Sequence, residues 1–191
     1  MSSNSSDRPA NSIKSVCVFC SSSSKLEERY YRLGAQVGRI IASKNIHLVY
    51  GGAAGGIMGK LADAALEEGG EVTGVIPEVL SGHERRHQNL TALHVTKDMH
   101  ERQKKMSDLS DAFLILPGGL GTLAEFFEIL TWKQIGLHEK PIGLLNNHGF
   151  WKDLLEQFVY CRDEHFMYSD PASLFDTMEE VEEINGFLEH R

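Results

Sequence analysis

The sequence predicts a doubly wound α/β protein, Rossmann-like, with a mostly parallel sheet and helices on both faces. Three observations carry this reading. From Ile13 onward, short apolar runs alternate with helix-length amphipathic segments, several runs end in Gly or Pro, and no apolar run approaches the roughly 18 residues that span a bilayer. Strands joined through helices need crossover connections, which leave a mostly parallel sheet covered on both sides.

Taken in order, SVCVFC at 15–20 is the first strand and 26–44 the helix after it. IHLVY at 46–50 is followed by a helix over 56–69, and EVTGVIP at 71–77 by the strand ALHV at 92–95 and a helix over 98–110. DAFLILP at 111–117 leads into a helix over 122–136, and PIGLLN at 141–146 into one over 150–162. The strand segments are short and rich in β-branched residues, while the others are long enough for helices. An acidic stretch, about 177–189, reads as a closing, solvated outer helix. Gly or Pro punctuates the strand ends in VYGGAAGG and LPGGLG, where sheets of this kind hold their ligands.

The chain has 191 residues and 21.3 kDa, the size of one domain with a full core, assigned here to 13–191. Net charge is -8, with 27 acidic against 19 basic residues, which argues against a nucleic-acid polymer or a membrane surface as partner. Three cysteines, Cys17, Cys20 and Cys161, make no disulfide framework and favour a reducing, cytoplasmic setting. Cys17 and Cys20 read C-x-x-C, but residues three apart on a strand point to opposite faces. Residues 1–12, MSSNSSDRPANS, lack the apolar core of a signal peptide and read as a disordered tail.

The most informative stretch is PGGLGTLAE, 117–125. Gly118, Gly119 and Gly121 let a ligand approach the backbone, and the helix that follows offers unpaired N–H groups and a positive dipole end, a ready phosphate site. Thr122 and Glu125 also form a capping box, which explains those two residues but not three glycines in four positions. Gly119-x-Gly121-x-x-Ala124 matches a dinucleotide fingerprint, yet the next strand ends in Asn146 and Asn147 where an acid is required, so NAD is not favoured. VYGGAAGGIMGK resembles a phosphate loop superficially: Leu61 follows Gly59-Lys60 where Ser or Thr is needed. Its glycines serve either a tight turn or a ligand.

Arg102 shares a helical face with Met99 and Met106. An arginine on an apolar face must meet a carboxylate, a carbonyl or an anion, and its helix precedes the strand leading to Pro117. HERRH, 83–87, is a literal H-E-x-x-H, but Ser81-Gly82 precedes it, its middle residues are arginines and the parallel α/β pattern is the wrong setting for a zincin. A polar loop or short helix bordering the site is the reading adopted, with no metal.

Together, MHER at 99–102, PGGLGTLAE, GGAAGGIMG at 51–59, GVIPEVL at 74–80 and TWKQIGLHEKPIGLLN at 131–146 resemble the Lonely Guy family of cytokinin riboside 5'-monophosphate phosphoribohydrolases, often labelled possible lysine decarboxylases. The resemblance runs from Ile13 to about Phe175. It implies hydrolysis of the N-glycosidic bond of an N6-modified adenosine 5'-monophosphate, or of AMP, to free base and ribose 5-phosphate, without a cofactor. It implies Arg102 and Glu125 as the catalytic pair, with Gly118, Gly119, Leu120, Gly121 and Thr122 on the phosphate, and Glu84, Gln103 and Thr131 lining the pocket. It also implies a homodimer. This chain departs from the family pattern at Ser21, Gln103 and Ala124, where glycine, lysine and glutamate are common, which bears on recognition of the base. The decarboxylase label would need a Schiff-base lysine for pyridoxal phosphate, and no lysine is singled out by context. A non-catalytic nucleotide-binding module would keep the glycine turn without needing Arg102 or Glu125.

Overall fold

The computed structural model describes residues 13–80 and 86–189. Seven strands form one sheet, all pairs parallel, in the order β4-β3-β2-β1-β5-β6-β7. The strands are β1 Ser15–Phe19, β2 His47–Tyr50, β3 Val72–Pro77, β4 Ala92–Thr96, β5 Ala112–Ile115, β6 Ile142–Leu145 and β7 Asp176–Met178. The helices are α1 Glu28–Ser43, α2 Gly56–Glu67, α3 Met99–Asp108, α4 Leu120–Gln134, α5 Lys152–Asp163 and α6 Ile184–Glu189.

β1 shows why the sheet is covered on both sides. Val16 and Val18 enter one core layer and Cys17 and Phe19 the other, so an unbroken apolar run is what a strand buried on two faces requires. The same alternation separates the C-x-x-C thiols: Cys17 lies in one layer, Cys20 in the other, both free. Leu33, Val37 and Ile41 of α1, Ile57 and Leu61 of α2, and Ile184 and Leu188 of α6 fill the first layer. Met106 of α3, Phe126 and Ile129 of α4 and Phe158 of α5 fill the second. α1 and α2 lie backbone against backbone, because a Cβ on Gly34 would stand 2.9 Å from the Ile57 carbonyl oxygen.

The end of the chain departs from the sequence expectation. Instead of one helix over 177–189, Asp176–Met178 adds a parallel strand to β6, a 3-10 turn covers Val181–Glu183, and α6 follows. The cause lies in the apolar residues between the acids. Met178, Val181, Ile184 and Leu188 are all buried, so the segment packs as a cap on the α1 layer and is not a solvated outer helix. The acids serve locally, Glu180 and Glu183 forming a capping box. The tail expected over 1–12 lies outside the described residues, among which no helix is long and apolar enough to cross a membrane.

The strand order places β1 beside β5, with chain progression running outward from them in opposite directions. This is the topological switch point, where the loops after two neighbouring strands diverge and open a crevice. The loop after β1 and the loop after β5 meet there, the Ser21 N–H donating to the Pro117 carbonyl at 3.2 Å.

Candidate active site

On the β5 side of the crevice, α4 starts at Leu120 with Gly119 as its N-cap, and no side chain caps it. The capping-box expectation is therefore corrected. Thr122 is the third helical residue, buried against Gly118, and Glu125 lies a turn deeper. The first intrahelical bond from this end is Leu123 N–H to the Gly119 carbonyl at 3.0 Å. The N–H groups of Leu120, Gly121 and Thr122 thus point out of the helix end without an intrahelical carbonyl. A Cβ on Gly119 or Gly121 would meet nothing within 4 Å, so both glycines border open space.

α3 supplies the opposing wall. Asp98 caps it, its carboxylate accepting from Glu101 N–H at 2.8 Å, and that bond holds the Asp98 carboxyl below the ordinary carboxylate range. One turn on, Arg102 is almost wholly buried and fixed at two points. Its Nε donates to the Val75 carbonyl on β3 at 2.9 Å and its Nη1 to Glu125 Oε1 at 2.5 Å. The Arg102 and Glu125 side chains are 6% and 8% exposed, so the pair is desolvated on both sides and strongly geometry-dependent. Gln103, next in sequence, donates from its amide to the Glu125 main-chain carbonyl at 3.2 Å. Consecutive residues of α3 therefore hold Glu125 by its carboxylate and by its backbone.

Arg102, Glu125, Gly119, Gly121 and Thr122 converge on a cavity of about 290 Å³, completed by Cys20, Ser21, Ser22, Ser23, Met58, Leu80 and Met99. The bare helix terminus and the ion pair both line it, with Met58, Leu80 and Met99 adding apolar surface. Burial, and then the Glu125 charge, pushes the Cys20 thiol well above its usual range; the same two causes act on Cys17. These thiols stay protonated and are not nucleophiles. A second cavity of about 240 Å³ lies across the Ser21–Gly119 ridge, lined by Leu26, Tyr30, Ile57, Pro117 and Phe150. Among the described residues it is lined by no carboxylate or basic group, whereas the first holds the Arg102–Glu125 pair.

The structure thus gathers Arg102, Glu125, Gly119, Gly121 and Thr122, with Gly118 as the seat of Thr122 and Leu120 contributing its backbone. Gln103 turns to the α4 backbone, away from the cavity lining. Thr131 is exposed about three turns beyond the helix start, its hydroxyl donating to the Phe127 carbonyl. Glu84 lies outside the described residues, as do His83 and Arg85 of the HERRH stretch. His87 lies outside any helix or strand, with Nε2 on Asp63 at 3.0 Å and Nδ1 accepting from Asn89 N–H at 3.3 Å, so both ring nitrogens have partners. Sequence reasoning missed the Ser21–Ser23 loop, Met58 and Leu80. The run CSSSS directly after the first strand was the available signal, since loops at the switch point line ligand sites.

Comparison with known proteins bears on this geometry. The pattern of the family described as "possible lysine decarboxylase" matches residues 58–186. A cytokinin riboside 5'-monophosphate phosphoribohydrolase of Rhodococcoides fascians is 48% identical over 155 residues, covering 81% of this chain and 78% of that protein. The chain belongs to the phosphoribohydrolase family. A phosphoribohydrolase of the same description from Arabidopsis thaliana is 39% identical over 168 residues, covering 84% of this chain and 79% of that one. Beyond the family, the Moco carrier protein of Chlamydomonas reinhardtii superposes with a TM-score of 0.68 at 20% identity, covering 91% of this chain and 94% of that one, a likeness of fold alone. Two of the three departures noted in the sequence, Ser21 and Gln103, lie at the cavity edge and behind Glu125, leaving the pair itself in place.

Proposed function

We propose that this phosphoribohydrolase hydrolyses the N-glycosidic bond of an N6-modified adenosine 5'-monophosphate, or of AMP, releasing free base and ribose 5-phosphate. The observation that carries the reading is the buried Arg102–Glu125 pair one turn below a bare helix N-terminus in a single cavity. The 5'-phosphate sits on the N–H groups of Leu120, Gly121 and Thr122, where the helix dipole favours an anion. Three residues along α4 separate Thr122 from Glu125, about 4.5 Å of rise, which brings the carboxylate to the ribose.

As the bond between C1' and the base breaks, positive charge builds on the sugar ring and the electron pair leaves with the base. Glu125 offsets that charge, water adds to C1', and the proton that the water gives up goes to the departing base, which leaves neutral. Arg102 fixes the orientation of Glu125 and organises the anionic substrate. No lysine borders the cavity among the described residues, so nothing there fits a pyridoxal Schiff base.

The chain acts as one catalytic domain and, we infer, as a homodimer. Leu120, Phe127 and Ile135 are 87%, 41% and 62% exposed and lie on one face of α4 and its end, an apolar stripe without cover in one copy. Purified protein incubated with AMP and with isopentenyladenosine 5'-monophosphate, followed for free base and ribose 5-phosphate, tests the activity. Release by wild type and not by Glu125→Gln supports it; no release of base from either nucleotide by folded protein overturns it. Light scattering on a size-exclusion column tests the dimer.

A further inference from the structure

Gly51, the residue after β2, is the one glycine of the GGAAGG turn that faces the catalytic pair. Its backbone is outside the left-handed region, so conformation does not demand glycine there, unlike Gly52 beside it at φ +78°. Space does. A Cβ on Gly51 would lie 2.6 Å from Arg102 Nη2, with Met58 Cε at 2.9 Å and Sδ at 3.1 Å. The tip of an arginine normally swings aside cheaply. Here Nε is bonded to Val75 and Nη1 to Glu125 inside the core, so moving Nη2 moves the whole planar fork and breaks one of those bonds.

We propose that Gly51 is a positioning residue for the reaction: its missing side chain is the seat of the Arg102 guanidinium, and through Arg102 it sets the Glu125 carboxylate. Two turns then build the site, one opening on the substrate and one backing the arginine. The inference rests on the phosphoribohydrolase reading for its catalytic meaning, while the seat itself depends on geometry alone.

The test is a pair of double-mutant cycles combining Gly51→Ala with Arg102→Lys and with Met58→Ala, read by melting temperature and by base release from AMP. Lysine keeps a cation but has no Nη2. Gly51→Ala alone is expected to lower kcat about 10- to 100-fold with little change in KM, as a sub-ångström misplacement of the pair does. It is also expected to lower the melting temperature by about 3–6 °C. In the Arg102→Lys background both losses shrink toward zero. Equal losses in the wild-type and Arg102→Lys backgrounds, losses that vanish only with Met58→Ala, or a Gly51→Ala protein indistinguishable from wild type would each overturn the proposal. Base release by wild type tests the activity, whereas the melting cycle tests Gly51 whether or not base is released, so the two failures are distinguishable.

Discussion

Two glycine-rich turns leave neighbouring parts of the sheet and use the same residue for opposite ends. At the start of α4, Gly119 and Gly121 face emptiness, with nothing within 4 Å of where a Cβ would stand, while Gly118 is filled by Thr122. At the start of α2, three of the four glycines of GGAAGG are filled by the protein itself: Gly51 by Arg102 and Met58, Gly55 by the Ser22 carbonyl oxygen at 2.9 Å, and Gly56 by the Ser21–Ser22 backbone. Met58 N–H donates to the Ser21 carbonyl at 3.1 Å, fastening α2 to the loop that rims the cavity. A glycine-rich strand-to-helix turn is thus a ligand site only where the fold leaves its missing side chains unoccupied. The second turn shapes the site from behind.

The sharpest way to break this comparison is near the start of each helix. Under the proposed reaction, Glu125→Gln is expected to lower kcat at least about 100-fold, since it removes the charge that would face the sugar, with AMP binding largely intact. Met58→Leu, a volume-conserving change on the other helix, is expected to stay within a few-fold of wild type. Steady-state kinetics with AMP reads both.

The next effect separates the turns by stability. Gly56 has φ +65° and a Cβ there would stand 2.5 Å from the Ser22 carbonyl carbon, so Gly56→Ala is expected to destabilise by about 1–3 kcal/mol in chemical denaturation. Gly121→Ala meets nothing and is expected to leave stability unchanged or slightly raised, while weakening AMP binding about tenfold by calorimetry. Equal stability losses at the two positions would erase the distinction.

The smallest effect uses the β4–α3 junction, which is capped by its own side chain. Asp98→Ala should lower the melting temperature by a few degrees at neutral pH. The Asp98 carboxyl is held below its ordinary value by Glu101 N–H, so its contribution is present above the unfolded pKa near 4 and fades as pH falls through the folded one. The gap between wild type and variant should close on acidification.

Much of this was legible in the sequence because the signals are local. Six of the seven strands, the five longer helices and the need of Arg102 for a polar partner follow from periodicities and spacings within a few residues of one another. β7 was hidden because three residues carry too little pattern and the surrounding acids imitate a solvated helix. The Thr122 cap failed for a different reason: the glycines let α4 begin two residues early, moving Glu125 from the mouth of the helix to its buried flank.

What the sequence determined by itself was the class of fold, the glycine-rich turn at the start of α4 and the placing of Arg102 on an apolar helix face, each written in neighbouring residues. Which strand lies beside which, that Arg102 meets Glu125 23 positions away, that Gln103 grips the α4 backbone and that Gly51 seats the guanidinium were decided only by the tertiary structure. Such contacts depend on strand order and on space left by distant side chains, and neither has a period along the chain.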